Sequence, residues 1–132
     1  MVYAAIIIIL LIIIKNWVDY DPNQKKAIKN GRLVALQTFT AHGRIIKKGS
    51  MGAKVDVSAT FNLYDNSWAD AKSKIMGESE ISGDTLITNS LIKNWIVKNA
   101  RVENCTCDNP WYYRGGFWGG EHIGESYTKS NL

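Results

Sequence analysis

Between Ser73 and Asn109 the chain repeats one five-residue phrase seven times: a small residue, any residue, Ile or Val, any residue, then Gly or Asn. The first unit is Ser73-Lys-Ile75-Met-Gly77 and the last is Cys105-Thr-Cys107-Asp-Asn109. Glu78 and Asp84 are single insertions after the first two units, so the period starts at six and settles at five. Only Trp95 in a small slot and Cys107 in an Ile/Val slot depart from the phrase. On an extended backbone the first and third residues of a unit share a face. Ile75, Ile81, Ile87, Ile92, Val97 and Val102 are therefore expected to line an interior together with the small residues. Lys74, Glu80, Leu86, Leu91, Ile96, Arg101 and Thr106 are expected to face outward. Gly77, Gly83, Asn89, Asn94, Asn99, Asn104 and Asn109 close the units, and both types tolerate the left-handed backbone that a sharp corner requires. Short strands and corners at this spacing predict a β-solenoid, with the five consecutive Asn corners stacking into a ladder. At three or four units per coil, seven units make about two coils. An evenly punctuated antiparallel sheet is the competing reading, whereas a period of five fits no helical face.

Units such as Val97-Lys-Asn99-Ala100-Arg and Val102-Glu-Asn104-Cys105-Thr resemble pentapeptide-repeat proteins. The earlier Ile75-Met-Gly77-Glu-Ser79 and Ile81-Ser-Gly83-Asp-Thr85 are similar to hexapeptide-type solenoids. In general plan the chain also resembles bactofilins, membrane-associated cytoskeletal β-solenoids. The resemblance covers the repeat alone and implies an architecture, a stacked β-coil serving as a scaffold. Hexapeptide solenoids include acyltransferases, but such an enzyme needs a histidine base near a coil loop, and the repeat contains no histidine. Some pentapeptide-repeat proteins resemble DNA in their acidity, whereas this repeat balances its charges and the chain carries a net +4.

The hydrophobic pattern changes character before the repeat. Val2 to Ile14 is an uninterrupted apolar run. As a helix it reaches about 20 Å, short of the roughly 30 Å hydrocarbon core. Lys15 can snorkel and Trp17 can anchor at the interface. With Ile6, Ile9 and Ile13 in the run, a retained hydrophobic membrane anchor is expected over residues 1–18. Cleavage as a signal peptide is not expected, because no basic segment precedes the run and no small-x-small site follows it. An Ile-rich element buried in an oligomer is the alternative. Residues 19–32 read as a polar joint with a short helix over Asn23 to Asn30, ended by Gly31. Residues 33–72 read as a β-rich connector. Strands are expected over Leu33 to Phe39 and Arg44 to Lys48, and a strong alternating strand over Lys54 to Leu63. Ala69, Ala71 and Ser73 carry the small-residue spacing into the first repeat, so the coil is expected to begin before its clear phrases. Residues 110–132 open on an aromatic, glycine-rich stretch with Trp111, Tyr112, Tyr113, Phe117 and Trp118. Bulky rings there fit a cap on the coil end, or a surface for glycan or protein.

Charge and chemistry narrow the function. The basic residues gather between Lys15 and Lys48, beside the apolar run and without aromatic interleaving. That arrangement favours anionic lipid headgroups over nucleic acid, and it places the body in the cytoplasm if the run spans a cell membrane. Cys105 and Cys107 take neighbouring inward positions, a poor disulfide geometry, and a metal site would need two further ligands. His42 and His122 have no fixed spacing to them or to Asp19, Asp56 or Glu121. The expected protein is mainly β: an N-terminal hydrophobic helix, a small β-rich connector, a short single-stranded β-solenoid over 73–109 and an aromatic cap. It is expected to be a non-enzymatic subunit of a larger assembly, a membrane-associated scaffold whose partners are membrane lipid and further subunits. No catalytic residue, cofactor or metal is expected. A virion structural protein and a glycan- or protein-binding module are the alternatives.

Overall fold

A computed structural model of the chain describes residues 23–108 and 115–127. It is a β-solenoid of about 4 turns, with no helix among the described residues. Two hairpins come first. Strands β1 (Lys26–Lys29) and β2 (Arg32–Ala35) pair antiparallel, as do β3 (Phe39–Ala41) and β4 (Arg44–Ile46). The helix expected over Asn23 to Asn30 is thus replaced by a strand. The reason is Asn30-Gly31, whose φ angles of 51° and 72° suit a two-residue hairpin turn rather than a helix stop. His42-Gly43 turns the second hairpin in the same way, with φ of 46° and 84°.

The coils follow, each with three sides. The first contains β5 (Met51–Val55), β6 (Thr60–Phe61) and β7 (Trp68–Ala69). The second contains β8 (Lys74–Met76), β9 (Glu80–Ser82) and β10 (Leu86–Thr88). The third contains β11 (Leu91–Lys93) and β12 (Trp95–Glu103), the latter covering two sides around a left-handed corner at Asn99. Then come β13 (Thr106–Asp108), β14 (Gly115–Ile123), again spanning two sides, and β15 (Ser126–Tyr127).

All pairings between coils are parallel. On the first side β5, β8, β11, β13 and β15 stack in order, and β2 and β1 extend this sheet antiparallel beyond β5. On the second side β6, β9, the first half of β12 and β14 stack; on the third, β7, β10, the second half of β12 and β14. The register puts Val55, Ile75, Ile92 and Cys107 in one inward column, and Phe61, Ile81, Val97 and Phe117 in another. All eight are buried.

Three units close each coil, and the coil begins before its regular phrases and continues after them. That is why about four turns form where counting units suggested two. The strand expected over Lys54 to Leu63 is broken at a corner, where the Asp56 carboxylate accepts the Ser58 N–H at 3.3 Å and leaves Val57 fully exposed. The second hairpin packs on the third side. Phe39 meets Trp68 edge-on at 5.9 Å between ring centroids, and the His42 N–H donates to the Asp84 carboxylate at 2.6 Å. Trp68 and Leu86 are outward by register yet only 3% and 4% exposed.

Candidate functional site

The repeat carries most of the chain's regular chemistry, beginning with its interior. Ser73, Ser79, Thr85, Ser90, Trp95, Ala100 and Cys105, the seven small-slot residues, are all buried, as are Ile75, Ile81, Ile87, Ile92, Val97 and Val102. A buried hydroxyl must find partners. Here each one ties two successive coils. Thr85 donates to Ser82 O at 2.9 Å and accepts the Ala100 N–H, one coil on, at 3.2 Å. Ser79 donates to Met76 O (2.7 Å) and accepts from Trp95 N (3.3 Å), and Ser90 donates to Thr88 O (2.8 Å) and accepts from Cys105 N (3.0 Å). The small slot is therefore a hydrogen-bond relay as well as a steric requirement.

The corners form three columns. Asn89, Asn94, Asn99 and Asn104 take φ between 45° and 55°, and Gly77 and Gly83 take 62° and 78°. Asn94 reaches over Gly77 and accepts the N–H of Glu78 at 2.9 Å; Asn99 reaches over Gly83 and accepts the N–H of Asp84 at 2.9 Å. A Cβ on either glycine would collide with the amide oxygen above it. The change from Gly to Asn along the sequence is thus a vertical pairing, and the inserted residues Glu78 and Asp84 supply the bonded N–H groups. The expected ladder of five consecutive Asn is corrected accordingly. Consecutive corners lie in different columns, and among the described residues the one Asn-on-Asn side-chain bond runs from Asn89 Nδ2 to Asn104 Oδ1. Asn109 lies outside the described residues.

The two ends differ in chemistry. At the N-terminal end Lys26 is fully buried, its ammonium donating to Asp65 O at 2.8 Å and to Asp65 Oδ1 at 3.1 Å, and lying 5.4 Å from the Phe39 ring centroid. Burial holds the Lys26 ammonium below the usual lysine range, an effect the Asp65 carboxylate opposes. Asp65 also accepts from the Ser67 N–H and hydroxyl and from the Gly83 N–H. Neither residue was singled out from sequence; a lysine opening a hairpin carries no signal of burial.

At the C-terminal end Phe117 is buried against Trp95 (5.7 Å between centroids) and His122 (4.2 Å). Gly115 lies against the Trp95 ring, where no larger residue fits. Cys105 and Cys107 are buried free thiols, and burial pushes both up, Cys107 to about 12. The Cys105 thiol donates to His122 O at 2.8 Å. Trp118 stands outward at 68% exposure. Trp111, Tyr112 and Tyr113 lie outside the described residues, as do the anchor residues Ile6, Ile9, Ile13, Lys15 and Trp17.

The two histidines serve local geometry. His42 Nδ1 lies 3.2 Å from Asp84 O, while His122 bonds Glu125 at 3.0 Å and Gly119 O at 2.7 Å. Among the described residues no group of three or more His, Cys, Asp or Glu is placed to hold a metal, and no helix is long and apolar enough to cross a membrane. What the arrangement does chemically is satisfy backbone between coils. Comparison with family models, characterised proteins and solved structures finds no match to this chain, so the coil and its corners stand on their own geometry.

Proposed function

We propose that the chain is a non-enzymatic structural subunit, a membrane-associated β-solenoid scaffold that works as part of a larger assembly. The observation that carries the reading is the continuity of the parallel stack. Each coil hands its hydroxyl and corner bonds to the next, and β14 and β15, the last strands described, are paired on one side only among the described residues. A row of strand N–H and C=O groups is a template for further strands. Stacked coils also depend on neighbours for stability, which favours a role in an assembly. The apolar run Val2–Ile14 supports membrane association, and the overall plan resembles that of bactofilins.

The test is assembly of the full chain in detergent and in vesicles, read by cross-linking and sedimentation. The reading expects oligomers in both media, and expects removal of residues 1–14 to free the chain from vesicles. A chain that stays monomeric at every concentration defeats the assembly reading. The exposed Trp118 favours a second reading, a glycan-binding surface, since an outward indole offers a face for a sugar ring. Loss of glycan retention by Trp118→Ala, with assembly unchanged, would select it. The same subunit role in a virion predicts fixed stoichiometry in purified particles.

A further inference from the structure

The outer surface of the first side carries a charge arrangement that folding does not need. The register sets Lys29 opposite Arg32, Arg32 opposite Lys54, and Lys54 opposite Lys74, so four cations lie in one row across β1, β2, β5 and β8. Steps of about 4.8 Å between strands give a row roughly 15 Å long. Like charges directly opposed across strands destabilise a sheet. Among the described residues none of the three lysines has an ion-pair partner, and the Arg32 guanidinium donates to Gly52 O at 3.3 Å.

A second outward row runs beside the first, with Ala27 opposite Val34 and Val34 opposite Met51, which is 59% exposed. Shallow depressions continue the surface toward the corners that flank it, the first toward the second side and the other two toward the third. One is lined by Lys54, Lys74 and Asp56, the next by Lys74 and Lys72, and the third by Lys72, Lys47, Arg44, Met51 and Ile45, the last 67% exposed. The carboxylates on this surface are Asp56, Asp70 and, opposite Lys93 further along the same face, Asp108. Asp70 is engaged, accepting the N–H groups of Asn89 and Lys72 and the Ser73 hydroxyl.

From this geometry we infer that the outer face of the first side docks on an anionic lipid bilayer, the cation row meeting headgroups while Met51 and Ile45 enter the interfacial layer. The inference rests on the reading of the chain as membrane-associated and names the surface that makes the contact. A bilayer fits for two reasons. It presents negative charge over an area, matching a row with a lateral extension, and it accepts exposed apolar side chains beside cations. A single-stranded nucleic-acid groove would interleave aromatic rings with the charge, and the rows carry none.

The test uses the full chain with vesicles of phosphatidylcholine alone and with one quarter phosphatidylserine, separated by flotation at two salt concentrations. The native chain is expected to prefer the anionic vesicles, more so at low salt. K29Q/K54Q/K74Q is expected to lose that preference by about a hundredfold, about fivefold per lysine. The Lys→Arg triple should keep it, and Lys98→Gln, on the second side, should change it by less than about twofold. Equal binding of the native chain to both vesicle types overturns the inference and leaves membrane association standing. Absence from both vesicle types overturns the two together. If the glutamine triple instead loses binding to inorganic polyphosphate or duplex DNA while its vesicle preference is unchanged, the face belongs to a soluble polyanion and the lipid assignment is overturned.

Discussion

The two ends of the described coil solve one problem with opposite chemistry. At the N-terminal end the chain passes from antiparallel hairpins to parallel coils, and a buried polar hub joins the pieces. Asp65 is bonded at once to Lys26 of β1, to Ser67 on its own corner and to Gly83 one coil on. At the C-terminal end the chain merely continues the coil, and the last interior is filled by rings and thiols: Phe117 on Trp95 and His122, with Cys105 and Cys107 beneath. A change of strand direction breaks the repeating hydrogen-bond relay, so its loose ends need a multiply accepting carboxylate. A continuing coil needs only volume. The direction-changing end is therefore the more brittle one.

Asp65→Ala should have the largest effect. It removes the counter-charge of a fully buried ammonium, which keeps only the main-chain oxygen of residue 65, and the acceptor for two N–H groups and a hydroxyl, a loss of about 4 kcal/mol read from urea unfolding. A loss below about 1 kcal/mol would show that the hub contributes little. Phe117→Ala should follow at about 3 kcal/mol, through a cavity over Trp95. Because the two sites share no partner, the double variant should lose the sum within about 0.5 kcal/mol. Strong coupling between them would mean that the ends are not independent.

Between the ends lies the part of the molecule that the sequence announces. The phrase from Ser73 onward identified inward and corner residues because each coil meets the same environment three times over, so a single rule repeats. The Gly-to-Asn change was visible but not its meaning, since vertical pairing of Gly83 with Asn99 depends on coil length, which the phrase leaves open. The first coil showed in the sequence only at its end, through the small-residue spacing of Ala69, Ala71 and Ser73, for a different reason. Its corners use Asp56, Asp65 and Asp70, whose carboxylates accept local N–H groups and do the work of Asn or Gly without matching the phrase. The cation row was hidden because Lys29, Arg32, Lys54 and Lys74 are neighbours only in the register of four strands.

The middle of the coil gives an intermediate effect against which both ends are measured. Gly83→Ala combines a φ of 78° with a collision at the Asn99 amide, and should lose about 2 kcal/mol. In an Asn99→Ala background the collision is gone, and the same change should lose only about 1 kcal/mol from backbone strain. An unchanged loss in that background would mean that strain alone, and not the vertical pairing, requires the glycine.

The smallest expected effect separates the ends by sign. Lys26 has a folded-state pKa below its ordinary 10.5, so in the alkaline window below 10.5 the unfolded chain holds more protons, and stability rises with pH. Cys107 is raised from 9.0 to about 12, so from pH 9 upward the unfolded chain has lost a proton that the folded chain keeps, and stability falls with pH. The two slopes oppose each other across the alkaline range, and the native chain should show only their difference. Lys26→Met removes the rising contribution and should steepen the alkaline loss, whereas Cys107→Val removes part of the falling one and should flatten it. Urea midpoints at pH 7.5 and 10.5 for the three chains decide the matter. The same shift in both variants would show that neither end sets the alkaline behaviour, and that charge elsewhere on the coil does.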